Sequence, residues 1–105
     1  MVAPILFAMP HFLCMLAHGP TWDDARGIRE QDGWVEHASF MDDLVADGLI
    51  IVGGPVGDGH YTAHLVQGAG EDQIRSKLAA DPWSSDGHLT VGLLEPWSLW
   101  LDGRT

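Results

Sequence analysis

The sequence predicts an α+β domain whose elements follow the order strand, helix, strand, strand, helix, strand. Two observations indicate this order. Apolar residues recur with helical spacing in residues 34–47 and 71–80, and four short apolar runs precede, separate and follow these two segments. The chain has 105 residues, of which 46% are hydrophobic and 19% charged, so we expect one globular domain with one hydrophobic core.

We predict the first strand at His11–His18, because apolar residues occupy both faces of this run and Gly19-Pro20 ends it. The domain is expected to span residues 11–105, with residues 1–10 as an N-terminal extension. Prolines interrupt the apolar N-terminal region and no basic residue precedes Arg26, so it lacks the pattern of a signal peptide. Its apolar run is also too short to cross a bilayer.

A polar loop, residues 20–33, leads to the first helix, predicted at residues 34–47. At about 100° per residue, one stripe of this helix collects the residues expected to pack inward: Trp34, His37, Ala38, Met41, Leu44 and Val45. His37 is the one polar residue on that stripe, and a buried imidazole needs hydrogen-bond partners to offset its desolvation. Gly48 suits the C-terminal end of the helix.

Residues 49–53 predict the second strand, which the glycine-rich turn GGPVGDG ends. A phosphate site in this turn is disfavoured, because the turn opens into another strand and no helix N-terminus follows to hold an anion. The third strand is predicted in HYTAHLVQG, residues 60–68. Its alternation separates two faces, one with His60, Thr62, His64 and Val66, the other with Tyr61, Ala63 and Leu65.

The second helix is predicted in residues 71–80, with Ile74, Leu78 and Ala79 facing inward. Pro82 stops this helix, because the residue before a proline is pushed out of the helical region, and Asp81 therefore marks the helix exit. The fourth strand is predicted in residues 88–94, followed by a tail that carries two of the five tryptophans.

This order of elements is the ferredoxin-like arrangement. Two helices cover only one face of a four-stranded sheet, yet the first two strands are apolar on both faces. We therefore expect a second copy of the chain to cover the other face, sheet against sheet, in a homodimer. The tryptophans are expected to pack in the core and in this contact.

The charge balance excludes several classes of partner. Fifteen acidic residues against five basic ones give a formal charge of -10, so nucleic acid and anionic membrane surfaces would be repelled. The single Cys14 cannot form an intrachain disulfide, which is typical of a reducing cytoplasm and excludes a multi-cysteine metal site. We expect a cytoplasmic protein whose partners are a small-molecule substrate and its own second copy.

His37 and Asp81 are the candidate catalytic pair. A histidine on the inward stripe of the first helix and an aspartate at the exit of the second meet at one end of the sheet if both helices run antiparallel to their strands. The carboxylate would fix one imidazole tautomer and leave the other nitrogen free as a general acid or base. A core histidine bonded to a backbone carbonyl, together with an aspartate that only ends the helix before Pro82, would give the same sequence pattern, so both interpretations stay open.

The remaining polar candidates are weaker. Arg29 is the best candidate to hold a substrate carboxylate or phenolate, and four further residues are predicted to bind substrate: Trp34, Ser39, Pro55 and Trp83. His60 and His64 share a strand face, but no third ligand lies nearby, so we predict neither a metal nor any other cofactor. The other three histidines flank strand ends and are expected to meet solvent: His11, His18 and His88.

Five segments occur together and in a fixed order: FLCMLAH, REQDGWVEHASFMDDLVADG, IIVGGPVG, ADPW and the closing EPW. With these segments, which cover about residues 11–102, the chain resembles the YciI-like, or YCII-related, proteins. The resemblance implies a ferredoxin-like protomer, a dimeric α/β barrel, and a His–Asp dyad at His37 and Asp81. The first ten residues and the histidines of the third strand depart from the family pattern.

The resemblance implies little about the reaction. Family members are mostly of unassigned activity; one is a dehydrochlorinase of a chlorinated hydroxyhydroquinone, and actinobacterial members are often encoded beside sigma factors. Our leading hypothesis is a cofactor-independent lyase or isomerase, dehydrohalogenation included, that uses the dyad for proton transfer on a small cyclic or phenolic substrate. The alternatives are a non-catalytic dimer that binds a ligand or a regulatory protein, and a haem or metal protein of the wider barrel group.

Overall fold

A four-stranded antiparallel sheet forms the centre of the computed structural model, which describes residues 9–104. The predicted N-terminal extension lies outside the described residues except for its last two positions. The strands are β1 (His11–His18), β2 (Ile50–Val56), β3 (Tyr61–Gln67) and β4 (Leu89–Pro96). Their order in the sheet is β2-β3-β1-β4, with each neighbouring pair antiparallel. This order is compatible with the predicted ferredoxin-like arrangement.

Three helices accompany the sheet: α1 (Trp34–Ala46), α2 (Glu71–Ala79) and α3 (Pro82–Ser85). A 3₁₀ turn at Ile28–Glu30 lies within the polar loop. The sequence did not predict α3, because its proline was interpreted only as the end of α2. The same proline occupies the first turn of α3, where its missing N–H costs no hydrogen bond.

The second strand is longer than predicted. It continues through Gly53, Gly54 and Pro55 to Val56, although these residues were expected to form a turn. The reason is that β2 is an edge strand, and a proline whose nitrogen faces away from the neighbouring strand removes no ladder hydrogen bond. The fourth strand begins at Leu89 rather than residue 88 and continues to Pro96.

The hydrophobic core lies between one face of the sheet and the helices. Alternate residues of β1 contribute Phe12, Cys14 and Leu16, and these pack with buried side chains of the helices: Leu44, Ile74, Leu78 and Trp83. Burial raises the pKa of the Cys14 thiol to about 11, and the charge of Arg75 opposes this increase. The thiol is therefore protonated at neutral pH and behaves as a small apolar side chain.

Two residues predicted to face inward are exposed instead. Val45 of α1 is 53% exposed, and Ala79 of α2 is also exposed. Each follows directly on a buried leucine, Leu44 or Leu78, and adjacent helical residues point about 100° apart. The buried stripe of each helix is thus narrower than the apolar pattern predicted.

The second face of the sheet carries apolar residues, as the sequence predicted. Val52 and Val56 of β2 and Tyr61 of β3 are each about half exposed there, next to half-buried Leu13 and Met15 of β1. Among residues 9–104, no helix is long and apolar enough to cross a membrane.

Gly19 links β1 to the loop above the sheet and has no room for a side chain. Its N–H donates to the His88 carbonyl at 2.7 Å, and a Cβ would lie 2.1 Å from the Gly87 carbonyl oxygen. Because this neighbour is backbone, Gly19→Ala is expected to lower the free energy of unfolding by about 1–3 kcal/mol, measured by urea denaturation. Gly54→Ala is the matched control, since nothing lies within 4 Å of its Cβ position; equal urea midpoints for the two variants would contradict the prediction.

Candidate active site

His37 and Asp81 are hydrogen-bonded and buried. The Nδ1 atom of His37 lies 2.8 Å from Oδ2 of Asp81, and the two residues are only 6% and 2% exposed. The second carboxylate oxygen accepts a hydrogen bond from the backbone N–H of Trp83 at 2.9 Å. An ionised carboxylate can only accept, so Nδ1 carries the proton and Nε2 of the ring is left free.

Local rules of chain geometry place both partners. The left-handed Gly33, with φ of 80°, precedes α1, and His37 follows one turn later on the buried side of the helix. Asp81 stands between α2 and α3 with extended backbone angles, as expected for a residue before proline. Its side chain caps the N-terminus of α3, and this hydrogen bond holds the carboxylate against the imidazole.

Trp83 forms the wall behind His37. Its ring lies parallel to the imidazole, with centroids 4.0 Å apart and an interplanar angle of 9°. The indole is fully buried, and its Nε1–H donates to the Asp32 carbonyl at 2.7 Å. The face of an indole attracts a cation that lies over it, and the parallel stack holds the His37 ring in one orientation.

A second imidazole lies on the opposite side of Trp83. The His88 ring stacks on it at 5.3 Å and 16°, and its Nδ1 lies 2.8 Å from Oδ1 of Asp86. His88 was expected to meet solvent, and this prediction is wrong: the residue is buried, because Trp83 and the edge of Trp22 cover its ring. His11 and His18 are half-buried.

The sequence carries a local signal for the pair of Asp86 and His88. Asp-Gly-His occurs twice, at 58–60 and at 86–88, each time directly before a strand. In both copies the aspartate Oδ1 accepts a hydrogen bond from the backbone N–H of the histidine. The same oxygen lies within 3 Å of the histidine Nδ1. The central glycines, Gly59 and Gly87, have positive φ, which only glycine adopts without strain. The repeated tripeptide is thus a turn that orients an imidazole.

His37 lines a cavity of about 380 Å³. The cavity lies between α1, the helix-facing side of the sheet and the loop of residues 22–28. Apolar side chains of Leu16, Met41 and Leu89 form part of its wall, and four imidazoles reach it: His18, His37, His60 and His64. Its volume is within the range of small-molecule sites, about 300–1,000 Å³.

The predicted substrate-binding residues are only partly at this cavity. Pro55 lines it. Trp83 lies behind His37 instead, fully buried, and the ring of half-buried Trp34 is 6.0 Å from that of His37. Ser39 is exposed on α1 and does not contribute to the wall.

Arg29 is exposed in the 3₁₀ turn and does not line the cavity; Arg26 does. The guanidinium of Arg26 is bonded to Asp23 at 3.0 Å and to Asp32 at 3.1 Å. The loop that holds both arginines has no periodicity, so the sequence offered no means of choosing between them. The positive charge of Arg26 at the cavity is therefore already neutralised by carboxylates of the protein itself.

His64 is buried in the cavity wall, whereas its predicted companion His60 is exposed. Burial lowers the pKa of His64; a hydrogen bond to the Cys14 backbone opposes this effect and the nearby His37 adds to it. Within residues 9–104, no three histidine, cysteine, aspartate or glutamate side chains cluster closely enough to hold a metal ion. The two histidines, which the sequence placed on one strand face, therefore have different environments.

Comparisons of the chain with protein-family models, with curated proteins and with solved structures found no match. The YCII-related resemblance consequently stays a prediction from the sequence motifs. Three features of the chain define its possible chemistry: the buried pair of His37 and Asp81, the aromatic wall and the cavity.

Proposed function

We propose that this protein is a cofactor-independent enzyme of the lyase or isomerase type that transfers a proton on a small cyclic or phenolic substrate. The observation that carries the proposal is the buried hydrogen bond between His37 and Asp81 at a cavity of small-molecule size. A buried imidazole with a carboxylate on one nitrogen and open space at the other is the arrangement that general acid–base catalysis requires.

In this mechanism, Nε2 of His37 removes a proton from a carbon or oxygen of the substrate. The electron pair of the broken bond moves into the adjacent ring system or carbonyl, and Asp81 and the face of Trp83 stabilise the imidazolium. In an isomerisation, His37 then returns the proton to another atom of the substrate. In an elimination, the leaving group departs with its electron pair and the proton is later lost to solvent.

The same proposal includes membership of the YCII-related family and a homodimer with the architecture of a dimeric α/β barrel. Two observations support the dimer: the strand order is compatible with such a protomer, and Val52, Val56 and Tyr61 leave an apolar sheet face half exposed. A cytoplasmic location rests on the single, buried Cys14.

Replacing Asp81 with asparagine is expected to reverse the tautomer of His37. The backbone N–H of Trp83 requires an acceptor, so the one carboxamide oxygen stays with it and the NH₂ group turns to the imidazole. Nδ1 must then accept, and the proton moves to Nε2. The ¹⁵N chemical shifts of histidine-labelled protein, assigned with His37→Gln, measure this change.

The matched control is Asp86→Asn, which removes the carboxylate partner of the other stacked imidazole and should alter the His88 signals alone. An unprotonated Nδ1 on His37 in the wild type, or the same tautomer in Asp81→Asn, would contradict the proposed dyad.

The function itself is tested by incubating the protein in D₂O with a panel of cyclic ketones, lactones and chlorinated phenols. Proton NMR then detects deuterium incorporation, double-bond migration or loss of a leaving group. Turnover above the buffer rate for at least one compound is expected. If the wild type turns over none of them, the cavity is better interpreted as the binding site of a non-catalytic module.

A further inference from the structure

Two histidines of the cavity wall, His37 and His64, differ in whether a carboxylate contacts the imidazole ring. His37 has a carboxylate partner, as do His60 and His88. His64 has no such partner among residues 9–104, although it is only 8% exposed. When an imidazole is buried without a neighbouring carboxylate, neither water nor an ion pair stabilises its protonated form. Burial accordingly lowers the pKa of His64, and its ring is neutral at pH 7.

A glycine on the neighbouring strand fixes the position of this ring. His64 of β3 is paired with Gly53 of β2 on one side and with Cys14 of β1 on the other. A Cβ on Gly53 would lie 2.3 Å from Cδ2 of His64 and 3.0 Å from its Cγ. The Cδ2 edge of the imidazole therefore rests on the Gly53 backbone, and a larger residue there would displace the ring.

The orientation of the ring assigns roles to its two nitrogens. Because the Cδ2 edge faces β2, the opposite edge, which carries Nδ1, faces β1. The backbone of Cys14 on that strand raises the pKa of the ring, as a carbonyl that faces a ring N–H does, and this favours Nδ1 as the site of the proton in the neutral ring. The remaining nitrogen, Nε2, has a lone pair and belongs to a residue of the cavity wall.

We propose that His64 is the residue that recognises a hydroxyl group of the ligand, accepting its hydrogen bond at Nε2 while the ligand remains un-ionised. The ligand class is a hydroxylated ring compound small enough for a cavity of about 380 Å³. This inference rests on the proposed function, since it names the group by which the substrate of His37 is selected. The two carboxylates of the wall, Asp24 and Asp58, are exposed and their charge is screened by solvent.

A pair of fluorescent probes tests the assignment without knowledge of the substrate. 2-Naphthol carries a hydroxyl that is un-ionised at pH 7, and 2-methoxynaphthalene has nearly the same shape without the donor. A buried acceptor left without a donor loses about 1–3 kcal/mol, so the wild type should bind 2-naphthol roughly five- to a hundredfold more tightly. Dissociation constants are measured by fluorescence titration.

Three variants test whether His64 causes the preference for 2-naphthol over 2-methoxynaphthalene. His64→Leu and Gly53→Ala are expected to bring the affinity ratio of the two probes close to one, the first by removing the acceptor and the second by displacing it. His64→Gln, whose side-chain oxygen is an acceptor, should retain part of the ratio. The matched control is His11→Leu, an imidazole at the start of β1 and outside the cavity wall, which should leave the ratio unchanged.

The assignment is overturned if His64→Leu keeps the wild-type ratio, if the ratio is lost only in His37→Leu, or if the wild type binds neither probe. Thermal denaturation of each variant verifies that it is folded at the assay temperature. Binding that depends on His64 without any turnover would refute the proposed enzyme and leave the hydroxyl site standing. Turnover that depends on His37 with no effect of His64 would do the reverse.

Discussion

Replacement of His37 by glutamine is expected to lower turnover by about two to four orders of magnitude, the usual contribution of a positioned general acid or base. Glutamine can donate a hydrogen bond to Asp81 and fills similar space, so the fold and the cavity should persist. It cannot take up a proton near neutral pH. The loss should therefore lie in kcat, and the affinity for 2-naphthol should change by less than about threefold.

A chemical rescue separates a catalytic role of His37 from a structural one. His37→Ala leaves a gap beside Asp81 and Trp83, and imidazole added to the buffer should restore part of the turnover by occupying it. The matched control is Asp42→Asn, an exposed change on the same helix, which should leave kcat unaltered. Equal kcat for wild type and His37→Gln would refute the proposed role, as would a decrease that only follows a loss of folded protein.

Trp83→Ala is expected to lower the free energy of unfolding by about 3–5 kcal/mol, the range for a large aromatic residue removed from a core. The indole is fully buried, two imidazoles stack on its faces, and its Nε1–H satisfies the Asp32 carbonyl. All of these contacts are lost together in the alanine variant. Urea denaturation followed by circular dichroism measures the change.

Two further variants show which properties of Trp83 account for the destabilisation in Trp83→Ala. Trp83→Phe keeps an aromatic ring but loses the donor to Asp32, so its destabilisation should be smaller, about 1–3 kcal/mol. Trp100→Ala removes an indole that is 90% exposed and should change stability by less than about 0.5 kcal/mol. If Trp83→Ala unfolds at the wild-type urea midpoint, the stack is not a structural support of the site.

The helices α1 and α2 and the positions of His37 and Asp81 were predictable because short-range rules place them. The spacing of apolar residues put His37 on the buried side of α1, and the restriction before Pro82 put Asp81 at the helix exit. The repeated Asp-Gly-His tripeptide obeys an equally local rule, but it determines only the turn: His60 is exposed, whereas His88 is buried because Trp83 and Trp22 contact its ring. Strand ends were less predictable, because Pro55 is tolerated only at a sheet edge and edges are not visible in a sequence.

By itself, the sequence determined the order of the elements, the apolar character of both sheet faces, and the separate positions of His37 on α1 and of Asp81 at the end of α2, since each depends on residues close together along the chain. Only the tertiary structure decided which side chains surround that pair. His37 meets Asp81 and Trp83 because α1 packs against the end of α2 and against α3, and the His64 ring lies against Gly53 because β2 and β3 pair at a fixed register. Both contacts depend on how whole elements pack and pair, on which local periodicity carries no information.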